Sequence, residues 1–338
     1  MRYRENDSGL QLLEIEVTNR CNLNCRHCYV RTDRRVDLPQ ETVRSIIEQS
    51  NRLGVNRVVF TGGEPILYRG LFELAEYVKS IGIPEVALLT NGLLINQSNI
   101  ERLRAFDIIQ LSIDTPPKKQ NVMRIDYSNT LEKKIDLLKT NHLNVVLFAT
   151  LSKKILPLIE DLIDFAREKK VKISFNRLSP IVPGLRQECL TPLELRDALK
   201  RISDSHIDAG LGCSDPLLFL VDEKKMKYYK TLDKEGLKGG CSAGIATLYI
   251  NCFGEVYPCP FLQLAVGDIY TQRLADIWEN SNYLNALRDR SGISGECGIC
   301  EYRNFCGGCR AAGFIKHGNT HESDTNCFKR LVEVEGCK

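Results

Sequence analysis

Residues 12–28 read LLEIEVTNRCNLNCRHC, so a short apolar strand, Leu12–Val17, runs directly into three closely spaced cysteines. Similar β-branched runs recur five more times before Ser179, with amphipathic stretches between them. Six strands separated by helices predict a parallel sheet with right-handed crossovers. The runs are mostly apolar throughout, which is typical of strands covered on both faces. An open sheet and a barrel both fit this pattern.

The predicted strands are Leu12–Val17, Arg57–Phe60, Val86–Thr90, Ile108–Ile113, Val145–Thr150 and Val171–Phe175. The predicted helices are Gln40–Leu53, Leu71–Ile81, Gln97–Phe106, Asn129–Asn141 and Pro157–Lys169. After Ser179 the regular alternation stops at a loop marked by proline and glycine. Thr191 is the predicted N-cap of one further helix, which ends near Ile202.

The composition narrows the class of protein. The chain has 338 residues, 43% of them hydrophobic, which is enough for a large core or for one core and a smaller module. Its 46 basic and 43 acidic residues leave a net charge of +3, and the basic residues are scattered, so we expect no nucleic-acid partner. No apolar stretch approaches the ~20 residues of a membrane span, and the N-terminus MRYRENDSG lacks the apolar segment of a signal peptide. We therefore expect a cytoplasmic protein without a membrane partner.

Fourteen cysteines are unusual in such a protein. Three stand at positions 21, 25 and 28, nine lie between Cys241 and Cys337, and only Cys189 and Cys213 fall between these groups. In a reducing compartment, this segregation favours two metal-binding regions over a set of disulfides.

The composition also changes along the chain. From Gly239-Gly240 onward it shifts to cysteine, glycine and short turns, with few long apolar runs. We therefore predict an α/β domain over residues 1–205, a bridge over 206–240 and a small metal-stapled domain over 241–338.

The first cysteine group, Cys21, Cys25 and Cys28, follows the carboxyl end of the first strand, where parallel α/β proteins gather their ligands. A structural zinc site normally takes four protein ligands. Three cysteines without an obvious fourth ligand favour a cubane iron–sulfur cluster with one iron open to an exogenous ligand. The alternative is a zinc site completed by His27.

The same three cysteines and the following Tyr29 form CxxxCxxC plus an aromatic residue, and here the chain resembles radical S-adenosylmethionine (radical SAM) enzymes. Three further segments of that family follow at successive predicted strand ends, namely TGGEP at 61–65, TNG at 90–92 and LSID at 111–114. The resemblance implies a partial (β/α)6 TIM-like barrel and S-adenosylmethionine bound through its amino and carboxylate groups to the open iron.

The resemblance also implies a cofactor pocket. The glycines of GGEP have no Cβ, so the backbone can approach closely there. In the family this segment holds the methionine amino group of S-adenosylmethionine. The resemblance also implies that Ser112 and Arg124 contact the carboxylate and ribose. Many members of the family read SIDG followed by HDxxR. This sequence instead has Ser-Ile-Asp-Thr-Pro-Pro from Ser112 and lacks HDxxR around Arg124. For Ser112, Arg124 and Arg177, a capping or surface role is the alternative. The implied pocket residues are Tyr29 near the adenine, Gly62, Gly63, Glu64, Pro65, Asn91, Ser112, Arg124 and Arg177.

The implied chemistry is radical. A reduced [4Fe-4S] cluster donates one electron to the sulfonium, and the released 5′-deoxyadenosyl radical takes a hydrogen atom from an unreactive C–H bond. Thiolate-ligated clusters reach the required low potentials, about −700 mV at their lowest. An external electron donor such as flavodoxin or ferredoxin is implied as a partner.

The second cysteine region resembles the SPASM extension of radical SAM proteins, which carries two auxiliary [4Fe-4S] clusters and would bring the total to three. Its last CxxC has two intervening residues, whereas the usual pattern has three. Position by position, the resemblance gives Cys241, Cys259 and Cys309 to the first auxiliary cluster, with Cys252 or an open iron as the fourth position. It gives Cys297, Cys300, Cys306 and Cys327 to the second.

Three cysteines remain, and one alternative applies to the whole region. Cys189 and Cys337 are predicted to be unligated. Cys213, in the bridge, is either a small buried hydrophobe or a thiol that returns a hydrogen atom to the substrate radical. A pair of zinc sites is the alternative to the auxiliary clusters, because CxxC pairs also build zinc ribbons.

The substrate is the least determined feature. SPASM proteins most often modify peptides by crosslinking, epimerisation or oxidation, and we take a peptide as the main hypothesis. The segment from Phe261 to Arg310 also resembles members that modify tetrapyrrole side chains, for example by decarboxylation. Only twenty residues precede Cys21, so we expect no separate leader-peptide-binding domain. A non-catalytic iron–sulfur carrier and a zinc-stabilised scaffold are the alternatives without enzymatic activity.

Overall fold

The structure is a computed structural model that describes residues 3–4, 9–30, 34–117, 119, 123, 128–181, 184–205, 215–234, 237–329 and 331. Its strands are β1 (Tyr3–Arg4), β2 (Leu12–Thr18), β3 (Arg57–Gly62), β4 (Glu85–Thr90), β5 (Ile108–Ser112), β6 (Val145–Leu151), β7 (Lys172–Arg177), β8 (Leu237–Lys238), β9 (Thr247–Ile250), β10 (Glu255–Tyr257) and β11 (Gly267–Asp268). Its helices are α1 (Gln40–Arg52), α2 (Leu71–Ser80), α3 (Ser128–Thr140), α4 (Ile159–Glu168), α5 (Pro192–Asp204), α6 (Glu223–Lys234), α7 (Leu274–Asn280), α8 (Asn282–Arg288), α9 (Gly295–Gly298) and α10 (Arg310–His317).

Six parallel strands, β2 to β7, lie side by side in chain order. Sequential order without a switch point places the crossover helices on one face, as in a barrel. The predicted α/β class, with a partial barrel followed by a small cysteine-rich domain, is confirmed.

The C-terminal domain continues this sheet. Strand β9 pairs in parallel with β2, from Leu12 opposite Thr247 to Ile15 opposite Ile250. Strands β10 and β11 then add antiparallel strands at that edge. The edge of the barrel sheet is therefore covered by residues that follow the bridge, and the ends of β2 and β9 point the same way.

The two faces of the sheet differ. The face beneath the helices carries the main core, including Phe60, Leu88 and Phe175, all fully buried. The inner face carries a separate apolar cluster, which consists of Val59, Ala87, Ile108 and Val146. Glu14 lies opposite Val59 and Glu16 opposite Thr61, so both acids share this inner face.

Local sequence explains the packing of α1 and the start of α5. In α1 the buried residues Val43, Ile46, Ile47 and Ser50 recur at helical spacing and face the sheet. Thr191 caps α5 through a capping box with Glu194, as predicted.

The predicted helix Gln97–Phe106 is wrong. The chain forms turns there and only one 3₁₀ turn, Arg102–Ala105. Asn96 Oδ1 accepts the Ser98 N–H at 2.8 Å, and Asn99 Oδ1 accepts the Asn96 N–H at 2.9 Å. These side-chain hydrogen bonds to the backbone compete with helix formation. Among the residues that the structure describes, no helix is long and apolar enough to cross a membrane.

Candidate active site

The N-terminal cysteine loop begins directly after β2. The Leu23 N–H donates to Cys21 Sγ at 3.4 Å, and the Asn91 amide nitrogen lies 3.9 Å from the same sulfur. The Cys28 N–H donates to the Cys25 carbonyl at 3.3 Å. Burial raises the pKa of Cys21, and the charges of Glu64 and Cys28 raise it further. Nearby thiols that receive N–H donors suit thiolate ligands of an iron–sulfur cluster.

Gly62 and Gly63 hold the end of β3 against the start of this loop. A Cβ at Gly62 would stand 2.2 Å from the Thr18 carbonyl oxygen, and a Cβ at Gly63 would stand 2.3 Å from that of Arg20. The Gly63 N–H donates to the Thr18 carbonyl at 2.7 Å. The glycines therefore let the backbone approach the chain's own cysteine loop, and this contact fixes where the loop starts.

Glu64 ties the ends of β3 and β4 together, and Asn91 extends the contact to the loop after β2. It is fully buried, and its carboxylate accepts from the Thr90 hydroxyl at 2.6 Å, the Asn91 N–H at 2.9 Å and the Ile66 N–H at 3.1 Å. Asn91 in turn donates from its side chain to Asn22 Oδ1 at 2.8 Å. Pro65 is buried in the first position of the 3₁₀ turn that follows. The segments GGEP and TNG thus form one hydrogen-bonded floor beneath the cysteine loop.

The C-terminal cysteines form two groups in space. Burial raises the pKa of Cys259, and the thiols of Cys241 and Cys309 raise it further. The sulfur of Cys259 accepts the Leu262 N–H at 3.3 Å. These three cysteines are the set that the sequence assigned to the first auxiliary cluster.

The second group is Cys297, Cys300, Cys306 and Cys327. Burial raises the pKa of Cys327 to about 11, and the charges of Cys297 and Cys300 contribute to that rise. Burial likewise raises the pKa of Cys306, with contributions from Cys297 and Cys327. The Cys306 sulfur accepts the Gly308 N–H at 3.3 Å, and that of Cys300 accepts the Tyr302 N–H at 3.4 Å. The four thiols that the sequence grouped for the second auxiliary cluster therefore lie near one another.

Cys252 lies elsewhere. It is buried in the main core, and after burial itself the charge of Glu16 does most to raise its pKa, with a smaller effect from Asp37. The structure thus places Cys252 beside Glu16, in the turn at one end of the β9–β10 hairpin, whereas Cys259 lies beyond the other end of that hairpin. Its proposed ligand role rested on its position in the chain, seven residues before Cys259. The turn between β9 and β10 separates the two residues in space.

Two observations complete the description of possible ligands. Cys189 packs with Tyr29 and Leu178 in a small apolar cluster, and burial raises its pKa. Among the described residues, no group of three or more histidine, cysteine, aspartate or glutamate side chains is spaced to hold a single metal ion.

The two halves of the chain match two known families. The sequence profile of the radical SAM superfamily matches residues 15–166, and that of the SPASM iron–sulfur cluster-binding domain matches residues 241–310. The chain belongs to the radical SAM superfamily. It is an enzyme of that superfamily with a C-terminal SPASM domain.

Several relatives cover almost the whole chain. An AdoMet-dependent heme synthase of Methanosarcina barkeri is 28% identical over 95% of this chain and 97% of its own length. A PqqA peptide cyclase of Xanthomonas oryzae pv. oryzae is 26% identical over 95% and 88%. Solved Streptococcus suis SuiB bound to its precursor peptide SuiA superposes with a TM-score of 0.77, at 22% identity, over 95% of this chain and 76% of that one. The last likeness shows the fold.

Arg177, which the sequence placed in the cofactor pocket, has a different setting in this radical SAM enzyme. Its guanidinium makes a two-pronged ion pair with Asp215 and also donates to both oxygens of Asp324, at 2.9 and 3.1 Å. Both carboxylates are fully buried. Asp324 also accepts the Cys309 N–H at 2.9 Å. Arg177 therefore joins the radical SAM barrel to the SPASM domain, and its cation is occupied by two anions.

Tyr29 lies against the SPASM domain. Its ring centroid is 5.6 Å from that of Phe261 and 6.4 Å from that of Tyr249, both edge to face. Ser112 ends β5 on the inner face. Asn176, the residue before the end of β7, is buried, and its Oδ1 has no hydrogen-bond partner among the described residues.

Three predicted residues, Arg124, Cys213 and Cys337, lie outside the described residues. The roles assigned to them stay predictions.

Sequence reasoning missed an acidic pair on the inner face. Glu16 is 3% exposed and accepts from the Tyr249 hydroxyl. Burial raises the pKa of Glu16, while hydrogen bonds from Tyr249 and Cys252 lower it. Burial, followed by the charge of Glu16, raises the pKa of Glu14 to about 7. The signal was present, since two acids alternate with apolar residues in a strand that is otherwise apolar.

Proposed function

We propose that this radical SAM enzyme cleaves S-adenosylmethionine reductively and abstracts a hydrogen atom from a peptide. The observation that carries the proposal is the arrangement of ten cysteines in three groups, one in the loop after β2 and two in the C-terminal domain. A cluster held by Cys21, Cys25 and Cys28 would supply one electron to the sulfonium of S-adenosylmethionine, which would break its C5′–S bond and give methionine and a 5′-deoxyadenosyl radical able to take a hydrogen atom.

In this proposal the chain contributes ligands and positioning. Cys21, Cys25 and Cys28 hold a [4Fe-4S] cluster, and the floor built on Glu64 fixes their loop. The two SPASM groups hold two more clusters, and the fourth position of the first is open. The domain limits are those predicted, namely residues 1–205 for the barrel, 206–240 for the bridge and 241–338 for the SPASM domain.

The proposed surroundings follow from this chemistry. A flavodoxin or ferredoxin supplies the electrons, and neither nucleic acid nor membrane takes part. We place the reaction in the cytoplasm because a reducing compartment keeps cysteine thiols free for iron.

Two experiments test the metal content and the cleavage. Anaerobically reconstituted protein should bind about twelve iron atoms, four for each cubane. Changing the three N-terminal cysteines to alanine should remove about four of them and abolish 5′-deoxyadenosine release with dithionite. Cys189→Ala, a cysteine in the small apolar cluster, is the matched control and should change neither value. Stoichiometric zinc in place of iron would refute the assignment.

The peptide substrate draws support from the PqqA peptide cyclase and from the SuiB complex with SuiA. A second candidate substrate is a tetrapyrrole, which the 28% identity to an AdoMet-dependent heme synthase over nearly both full lengths favours. The discriminating measurement is substrate-dependent 5′-deoxyadenosine release, with a pool of short peptides in one arm and a porphyrin tetracarboxylate in the other. Stimulation by the porphyrin alone would replace the peptide hypothesis.

A further inference from the structure

A small cleft lies between the two cysteine regions. It encloses about 110 Å³. Its lining includes Tyr29, the residue after Cys28, and Pro260, the residue after Cys259. An occupant of this cleft would therefore lie near both the N-terminal cysteine loop and the first auxiliary group. Its lining includes Glu16, Tyr29, Tyr249, Phe253, Tyr257 and Pro260.

The cleft presents acceptors and aromatic faces. The Tyr249 hydroxyl donates to Glu16, and the Tyr257 hydroxyl donates to Glu255 at 2.8 Å. Both hydroxyl hydrogens are thus directed at carboxylates, so these tyrosines offer an occupant lone pairs and ring faces. The Tyr249 ring centroid lies 6.4 Å from that of Tyr29 and 6.2 Å from that of Tyr257. Aromatic walls with a carboxylate are the setting in which proteins bind organic cations.

The lining of the cleft, in the part of the chain that the structure describes, includes the acid Glu16 and no basic residue. Glu16 is almost fully buried on one wall, and Glu14 stands two residues earlier on the same face of β2. Among the residues that the structure describes, neither acid forms an ion pair with lysine or arginine. Burial disfavours the charged form of an acid that lacks a basic partner, and a cationic occupant would offset that cost and hold Glu16 ionised.

The chain itself places a cation at the rim. The guanidinium carbon of Arg34 lies 5.7 Å from the centroid of Phe253, which is a cation–π distance. Phe253 lines the cleft and is only partly buried, so its ring lies at the border between the rim and the interior. The rim therefore already shows the type of contact that the inner rings can offer a ligand.

We propose that this cleft binds a positively charged, unbranched side chain of the substrate, such as a lysine side chain of a peptide. The proposal rests on the peptide function above and narrows its substrate class. A long methylene stem can lie along the tyrosine rings while the ammonium reaches Glu16. The carboxylates of a tetrapyrrole would instead meet the acid.

Binding to the anaerobic holoenzyme tests the proposal. Dissociation constants of Nα-acetyl-lysine methylamide and Nα-acetyl-norleucine methylamide can be measured by saturation-transfer difference NMR. We expect lysine to bind at least tenfold more tightly than its uncharged isostere. Glu16→Gln should reduce the ratio below threefold. Glu48→Gln is the matched control, because Glu48 accepts from the Tyr77 hydroxyl at 2.5 Å on the outer surface, and it should leave the ratio unchanged.

A second variant covers a loss of folding in Glu16→Gln. Phe253→Leu keeps the acid and removes one ring, so it should weaken the binding of lysine but not of norleucine. Equal affinity of the holoenzyme for the two probes, or tighter binding of Nα-acetyl-glutamate methylamide, would overturn the proposal. A holoenzyme that releases no 5′-deoxyadenosine would refute the proposed function, whereas release without a lysine preference would refute this inference alone.

Discussion

Replacing Arg177 by methionine removes the cation that joins the barrel to the SPASM domain. The guanidinium is 10% exposed, and its partners Asp215 and Asp324 are fully buried. Methionine leaves two carboxylates without a counter-ion, and breaking a buried ion pair in this way typically costs about 3–5 kcal/mol. At an m-value of about 3 kcal/mol per molar urea, the midpoint of unfolding should fall by about 1–1.7 M.

The chain offers a matched control on its surface. Arg201 also lies between two acids, Glu160 and Asp197, but the arginine is 26% exposed and each acid is 58% exposed. Exposed pairs contribute about 0–1 kcal/mol each, so Arg201→Met should lower the midpoint by much less than Arg177→Met.

The assay is urea unfolding of the anaerobic holoenzyme, followed by circular dichroism. If the loss at Arg177 comes from the unpaired anions, combining Arg177→Met with Asp215→Asn and Asp324→Asn should recover much of it, because neutral amides cost less to bury. Equal midpoint shifts for Arg177→Met and Arg201→Met would refute the reasoning. So would a triple variant no more stable than the single one.

Three further predictions concern the site. Gly63→Ala should lower S-adenosylmethionine affinity at least tenfold in equilibrium dialysis, because its Cβ would lie 2.3 Å from a backbone oxygen. Gly9→Ala, whose Cβ would have 4.0 Å of clearance, is the control and should leave the affinity unchanged. Equal affinities of the two variants would contradict the prediction. The Cys252→Ala protein should keep all of its iron, whereas the Cys259→Ala protein should lose about four iron atoms, the content of one cubane. Loss of iron from the Cys252→Ala protein would show that Cys252 is a cluster ligand. The pKa of Glu14 rises from 4.5 to about 7 on folding, so the folded chain retains a proton that the unfolded chain releases, and stability falls as pH rises through this interval. Glu14→Gln should raise the urea midpoint at pH 8 and leave it nearly unchanged at pH 5, and a gain of equal size at both values would exclude titration of Glu14 as the cause.

The features that could be predicted from the sequence are local ones. Each barrel strand is a β-branched run, and the cysteine loop, GGEP and TNG stand at strand ends that the chain order alone brings to one edge. The predicted helix Gln97–Phe106 failed for an equally local reason, the asparagine side chains that bind the backbone. Helical periodicity was present there, but competing hydrogen bonds decided the outcome.

The features that could not be predicted depend on distant partners. Arg177 ends a barrel strand, and its two acids lie 38 and 147 positions away. Nothing near it in the chain distinguishes a pocket arginine from one that bridges domains. Cys252 shows the same limit, since its neighbour Glu16 is 236 positions away. Position in the chain suggested a shared site with Cys259, but the antiparallel pairing of β9 with β10 separates the two cysteines.

That strand pairing also explains how the SPASM domain reaches the inner face of β2. Strand β9 pairs in parallel with β2 and ends at the edge where the cysteine loop begins after Thr18. Strand β10 then runs back antiparallel to β9, so Cys259 follows it toward the start of β9. The change in composition near residue 240 marks a change in chemistry, but the sheet continues across it. The cleft lined by Tyr29, Tyr249 and Pro260 therefore depends on this continuous sheet, and its acid Glu16 comes from the strand that precedes the first cysteines.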